Sequence, residues 1–354
     1  MTKKGSSTAT AGASKDAATS KSTGAAADAA GNKGPQCDWV RSTFSKRDEN
    51  KARRMGLIPE DEASVRSPGA DARPNPPAGF RIMFVSFLYR GLSLPAHEFL
   101  RCLLFTYGIQ LWQLTPNSIL HLALFITLCE CYLGVEPHFA LWKKIFFVKR
   151  HGNNDGQFVV GGVGFAVRPG IKYFGFPMRE SVQNWRKKWF YIKDQKTSEH
   201  LYGLKEFSDV LEAQPKKTWR NILTADEKVV ADKLYAKVLE LKNTGGQEML
   251  GTEIAADFLR RRIQPIQARP HPMWRYKGTK DLSKIRTGVL TDEALLAALR
   301  PLTSFNKEDK IPIVSPKTAF DAKHPPTEVR CRLFSLLLMK LRCPTFSNHR
   351  DTLF

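Results

Sequence analysis

Clustered cations and scattered thiols are the residues of this chain whose types and spacing could do chemistry. Lys143, Lys144, Lys149 and Arg150 place four positive charges within eight residues. Arg186, Lys187 and Lys188, with Lys193 and Lys196 and offset by Asp194, give a second block beside Trp185, Trp189 and Tyr191. A third stretch, 257–286, carries nine cations against two acids and includes Arg260, Arg261 and Arg262. Cations hold phosphate by charge and by counterion release, and neighbouring aromatics can stack bases. The whole chain shares that sign: 55 Lys and Arg against 34 Asp and Glu give a formal charge of +21. Such a surface favours polyanions, so nucleic acid, either RNA or DNA, is the expected partner, ahead of an anionic membrane. The competing reading is a solvated basic face with core tryptophans behind it.

Other chemistry is weaker. Cys129 and Cys131 with His138 suggest zinc, but on a helix positions i and i+2 point about 200° apart and cannot close one tetrahedral site. They read as buried thiols, and Cys331, Cys343 and His349 are too irregularly spaced for a zinc knuckle. Gly161-Gly162-Val163-Gly164 resembles a phosphate loop, yet Val167 replaces the last glycine of a dinucleotide fingerprint and no Lys-Ser/Thr follows. There is no Gly-x-Ser-x-Gly elbow and no His-Glu-x-x-His. The expectation is therefore no catalytic residue, no metal, no cofactor and no small-molecule substrate. The enzymatic alternative is a divergent metal-dependent transposase or nuclease, which needs three convergent carboxylates; a spacing such as Asp257 to Asp292 arises by chance among 34 acids.

The elements that must position these residues are read from periodicity and caps. Residues 1–36 draw 30 of their positions from Ala, Ser, Thr, Gly and Lys, which predicts a disordered tail. A short helix within Arg41–Met55 and a Pro-rich linker fill 37–79, and the globular part begins near Phe80. Ile82–Tyr89 is an apolar run. Ser93 and Pro95 open a helix that carries Phe99 to Tyr107 and stops at Gly108. Thr115-Pro116 starts another, apolar almost all round from Ile119 to Leu133. Its 118–135 stretch is at the short end for a membrane span and contains His121 and Glu130, so a buried core helix is expected. A third helix is expected over Pro137–Val148, with Lys149-Arg150-His151 at its C-terminus. Phe158–Val167, with three glycines, suggests a short hairpin. Thr224-Ala225-Asp226-Glu227 is a capping box ahead of a long helix. Further helices are expected over Glu253–Ile263, Asp292–Leu299 and Phe334–Leu341. The fold class expected is mainly α with a minor β-hairpin: a compact helical core around an all-apolar helix, at 80–200, a helical extension at 201–305 and a weakly ordered 306–354.

Several of these segments also resemble a known family. Gly91-Leu-Ser-Leu-Pro-Ala-His-Glu-Phe-Leu-Arg101, Tyr107-Gly-Ile-Gln-Leu111, Leu114-Thr-Pro-Asn-Ser-Ile-Leu-His121, Leu128-Cys-Glu-Cys-Tyr-Leu-Gly134 and Leu141-Trp142-Lys143 carry the likeness. So do Trp185-Arg186-Lys187-Lys188-Trp189 and His271-Pro-Met-Trp274. The chain resembles the plant gypsy-type transposon proteins with a transposase-type domain, over about 37–305 and most densely over 80–195. The resemblance implies descent from a transposable element and supplies no catalytic residues. Together with the charge it gives the expected function: a retrotransposon-derived, non-catalytic, nucleic-acid-binding or gag-like protein, intracellular in nucleus or cytoplasm, with self-association as a further expectation. A decayed element product without activity is the other alternative.

Overall fold

A computed structural model describes residues 39–311, apart from 55–56, 60, 93, 95, 134, 153–157, 180–181, 195–201, 209–216, 244–249, 260–291 and 307. The tail at 1–36 and the segment Phe334–Leu341 lie outside these residues.

The chain enters through Trp39 and forms α1 (Lys46–Arg54), a 3-10 turn and the two-residue strand β1 (Val65–Arg66). The apolar run after Gly79 divides: Phe80–Phe84 is strand β2 and Val85–Leu88 is the one-turn helix α2. Its antiparallel partner is β5 (Trp189–Lys193), with Phe84 opposite Trp189 and Phe80 opposite Lys193. β1 pairs with the other edge of β5, so the sheet order is β1-β5-β2. Both strands are runs of aromatic and branched residues, which suit a pleated surface buried on both sides.

Between them lie the helices. α3 (Glu98–Tyr107) ends at Gly108, whose φ of 65° supplies the left-handed C-cap that glycine adopts without strain. Its N-cap is His97, whose Nδ1 accepts from the Phe99 N–H. α4 (Pro116–Thr127) starts as expected, with the Thr115 hydroxyl accepting from the Ser118 N–H and Pro116 in the first turn. α5 (Phe139–Ile145) is capped by His138. A second sheet follows, made of β3 (Phe146–Gly152) and β4 (Phe158–Val167). α6 (Ala225–Lys242) carries the complete Thr224/Glu227 capping box, and α7 (Gly251–Phe258) and α8 (Asp292–Leu299) complete the described helices.

Four expectations are corrected here. The fold is not mainly helical: among the described residues two small sheets share the core with the helices, and four of the five strands are longer than two residues. Short apolar runs cannot be assigned to strand or helix by periodicity alone, and here aromatic and branched content decided for strand. Nor is there an all-apolar central helix. α4 carries Asn117, Ser118, His121 and Thr127, and after Thr127 it passes into a π-helical turn, Leu128–Tyr132. Thr127 bonds back to the Ala123 carbonyl at 2.8 Å, the i−4 contact that loosens a helix end. The third helix also stops early. Phe146 has extended backbone (φ −113°, ψ 157°), so Lys149, Arg150 and His151 lie in a strand rather than at a helix C-terminus. The hairpin expected within Phe158–Val167 is one strand, paired along Phe146–Gly152.

Glycines in β4 are fixed by close approach. At Gly161 φ is +72° and a Cβ would stand 2.4 Å from the Trp185 ring; at Gly164 it would meet the His151 imidazole. At Gly161 the indole and the positive φ leave no place for a side chain, while at Gly164 one would have to displace the exposed His151 ring.

Aromatic rings fill the core in two groups. Trp142 stacks on Phe146 at 4.2 Å and meets Phe125 and Phe165 edge-on. Trp39, Phe84, Trp112, Trp189 and Phe207 make the second group around β5. Each buried ring contributes roughly 1.5–3 kcal/mol of transfer free energy. Polar ties are few and specific. Arg101, wholly buried, reaches Asp194 just beyond β5 at 2.8 Å and gives its Nε to the Ala96 carbonyl. Buried Asn221 takes a hydrogen bond from the Tyr107 hydroxyl and donates to the Phe146 carbonyl.

Breaking the first tie should be costly, because among the described residues Asp194 would be left buried with the more distant Arg81 as its cation. Arg101→Ala should lower the unfolding free energy by about 3–5 kcal/mol, measured by chemical denaturation. His121 gives a pH signature. It packs edge-on to Phe146 at 5.4 Å, and its remaining accessible surface faces a cavity of about 300 Å³. Burial pushes its pKa down to about 4. The native ring stays neutral while the unfolded one protonates below about 6.5, so stability is full above pH 6.5 and falls progressively toward pH 4, by up to about 3 kcal/mol. His121→Gln should flatten this acid limb in urea midpoints taken between pH 7 and 4.

Candidate nucleic-acid interface

The structure separates the clustered cations into two kinds. Lys143 and Lys144 leave α5 on the side that meets α6. Lys143 Nζ lies 2.7 and 3.0 Å from the two Glu227 carboxylate oxygens, with both side chains about nine-tenths buried, and it also sits over the Phe139 ring. Glu227 is the acid of the capping box, so one carboxylate caps α6 and binds α5. Lys144 Nζ lies 2.7 Å from Asp232 and over the Tyr235 ring. The hydrogen bond from Lys144 holds the exposed Asp232 carboxyl below its ordinary range. These two lysines fasten one helix to another, and their charge is largely met inside the molecule.

Lys149 and Arg150 stand on β3 opposite Gly164 and Val163. Successive strand residues face opposite ways, so they do not form one patch. Lys149 is exposed, on the same side as His151, whose pKa is lowered by burial and by Lys149.

The third group lies on a 3-10 turn, Trp185–Lys187, entered through Asn184 in the left-handed region (φ 56°). Trp185 is wedged against Phe84 at 4.7 Å and against Phe87, and it covers Gly161. Arg186 lies over the Trp185 ring, 5.7 Å from its centroid. Lys187 is exposed, and its backbone carbonyl accepts from the Thr43 N–H and hydroxyl. Lys188 pairs with Asp48 of α1 at 2.6 Å. Hydrogen bonding from Lys188, working against desolvation, leaves that carboxyl below its ordinary range. Arg186 and Lys187 therefore sit on a turn held rigid from three sides. Arg260, Arg261 and Arg262 lie outside the described residues.

The sequence reading passed over two cations that the fold brings together. Arg90, after α2, and Arg179 line one cavity of about 520 Å³ with Ser86, Tyr89, Val182, Gln183, Pro301 and Leu302. Arg90 is 4% exposed. One of its terminal nitrogens donates to the Ser86 carbonyl at 3.2 Å, while its buried Nε has no partner. Burial, and then the charge of Arg179, push its pKa down to about 10. Isolated in the sequence and far apart, these two arginines form no cluster that a charge count could find.

Among the described residues no group of three or more His, Cys, Asp and Glu is placed to hold a metal ion, and no helix is long and apolar enough to cross a membrane. Cys129 is buried in the π-helical turn.

Residues 82–150 match the family model described as "Putative gypsy type transposon". The match begins in β2, spans α2 to α5 and ends in β3, so the resemblance read from the sequence is borne out over that block. No curated protein and no solved structure matches the chain.

Replacement of Lys143 should be felt as stability. Lys143→Ala leaves a largely buried carboxylate short of its partner and should cost about 1.5–3 kcal/mol. Lys144→Ala, at a half-exposed pair, should cost less than about 1 kcal/mol. Equilibrium urea unfolding of the two variants checks the order.

Proposed function

We propose that this chain, whose residues 82–150 carry the gypsy-type transposon domain, serves its element by binding nucleic acid rather than by cutting it. The observation that carries this reading is the Trp185–Lys187 turn, which presents Arg186 and the exposed Lys187 beside a half-buried indole on a braced scaffold. Arginine and lysine so placed contact phosphates, and an aromatic edge can take an unstacked base. Lys149 on β3 adds a further exposed cation. The formal charge of +21 draws the polyanion in before any specific contact forms. Lys143 and Lys144 belong to the scaffold in this reading, Lys188 mainly braces the turn and Arg150 lies on the other side of β3 from Lys149, while Arg186, Lys187 and Lys149 make the contacts. A gag-like role would add self-association along the bound strand.

The test is fluorescence anisotropy of the full chain with labelled single-stranded RNA and duplex DNA across a salt series. Each phosphate neutralised contributes about 0.9 to the log–log salt slope on duplex and about 0.7 on a single strand. Replacing Arg186 and Lys187 together by Gln should flatten the slope by about 1.8 on duplex or about 1.4 on a single strand. Lys143→Ala should leave it unchanged. Absence of binding to both polymers at low salt would sink the proposal.

A further inference from the structure

We infer that the cavity between Arg90 and Arg179 is a binding site for a phosphomonoester group. Three observations carry it. The first is an unneutralised buried cation: Arg90 is 4% exposed, no carboxylate among the described residues lines its cavity, and its Nε is buried without a hydrogen-bond partner. A buried charge normally has a counter-ion, since desolvation costs several kcal/mol per ion. An oxyanion in the cavity supplies one and satisfies the orphaned Nε, and guanidinium groups match phosphate oxygens in pairs.

The second observation is convergence. Arg179 carries a like charge into the same cavity, close enough to depress the pKa of Arg90. Two like charges facing one space, with no acid among the described residues between them, repel each other unless a dianion lies between them. Ser86 lines the cavity too, and its hydroxyl oxygen is buried without a partner, a ready donor to a phosphate oxygen.

The third is the rigidity of the frame. The Arg179 carbonyl accepts from the Asn117 side chain at the start of α4, and its N–H donates to the Leu302 carbonyl at 3.3 Å. The Val85 N–H donates to the Lys188 carbonyl, which locks α2 against the segment that leads to the basic turn. Binding therefore requires little reordering, the condition under which small sites hold small ligands well. Tyr89, Val182, Pro301 and Leu302 supply apolar wall for whatever the phosphate is attached to. The phosphate comes from the end of a nucleic-acid strand or from a free nucleotide, and the chemistry of the pocket is the same for both.

The test is isothermal titration calorimetry on the full chain at fixed ionic strength. The probes are inorganic phosphate, adenosine monophosphate, and one oligonucleotide prepared with a 5′-phosphate and with a 5′-hydroxyl. Inorganic phosphate should saturate at one site per chain. Arg90→Met should weaken it at least tenfold while the thermal midpoint stays level or rises, because an unpaired buried charge has been replaced by an apolar side chain of similar length. Arg179→Ala, at an exposed residue, should weaken phosphate several-fold with the fold unchanged. A 5′-phosphorylated strand that outbinds its hydroxyl twin, with the advantage lost in Arg179→Ala, assigns the site to strand ends. Tighter binding of adenosine monophosphate with no difference between the strands assigns it to a free nucleotide. A wild-type chain that shows no saturation with any phosphate probe overturns the inference, and so do variants that bind like the wild type. The Arg186/Lys187 double variant should leave the phosphate isotherm unchanged, so failure here is separable from failure of the nucleic-acid reading.

Discussion

The ladder between Phe80–Phe84 and Trp189–Lys193 is the constraint on which the other features rest. It joins segments far apart in the chain, and the loop it closes contains α2 to α5 and the whole second sheet. Loop closure of that length is entropically costly, so the ladder must be over-determined by burial. It is. Phe84, Trp189, Phe190 and Ile192 are fully or almost fully buried, Arg101 clamps Asp194 just past the strand end, and the Asp194 N–H donates to the Gly79 carbonyl. Continuing that register one step, from the Val85 N–H to the Lys188 carbonyl, sets α2 beside the turn that follows Asn184. The Arg90 cavity and the Arg186–Lys187 surface are both consequences of this one alignment.

The division of cations into scaffold and surface follows from the same packing. A lysine within reach of a carboxylate on an adjacent helix loses its value as a free phosphate contact. α6, with Ala231 and Val238 buried, packs against α5 and offers Glu227 and Asp232 to Lys143 and Lys144. Next to the Trp185–Lys187 turn Asp48 pairs with Lys188, while Lys187 stays exposed. Charge density in a sequence thus overstates the charge that a fold leaves available.

Three local capping signals transferred to the structure, while other expected boundaries did not: α3 begins at Glu98 with His97 as its cap rather than at Ser93-Pro95, and α4 and α5 stop short of Leu133 and Val148. Thr115-Pro116, Gly108 and Thr224-to-Glu227 act through the backbone within one turn, so no distant contact can overrule them. The class did not transfer. Phe146-Phe-Val and Trp189-Phe-Tyr-Ile are too short and too uniformly apolar for a period to show, and their partners decide their conformation. The glycines of β4 were legible as a need for space but not as to what fills it, since Trp185 and His151 arrive from outside the motif.

By itself the sequence determined the basic character, the Thr115, Gly108 and Thr224 helix ends, the burial of most of Ile119–Cys129 and the likeness to transposon proteins. All of these depend on composition or on residues within a few positions of one another. Only the tertiary structure decided that two sheets share the core, that Lys143 and Lys144 serve α6, and that Arg90 and Arg179 face one cavity. Each of those depends on which distant segments meet, and a buried charge without a counter-ion among the described residues is a property of a neighbourhood, invisible until the chain has closed around it.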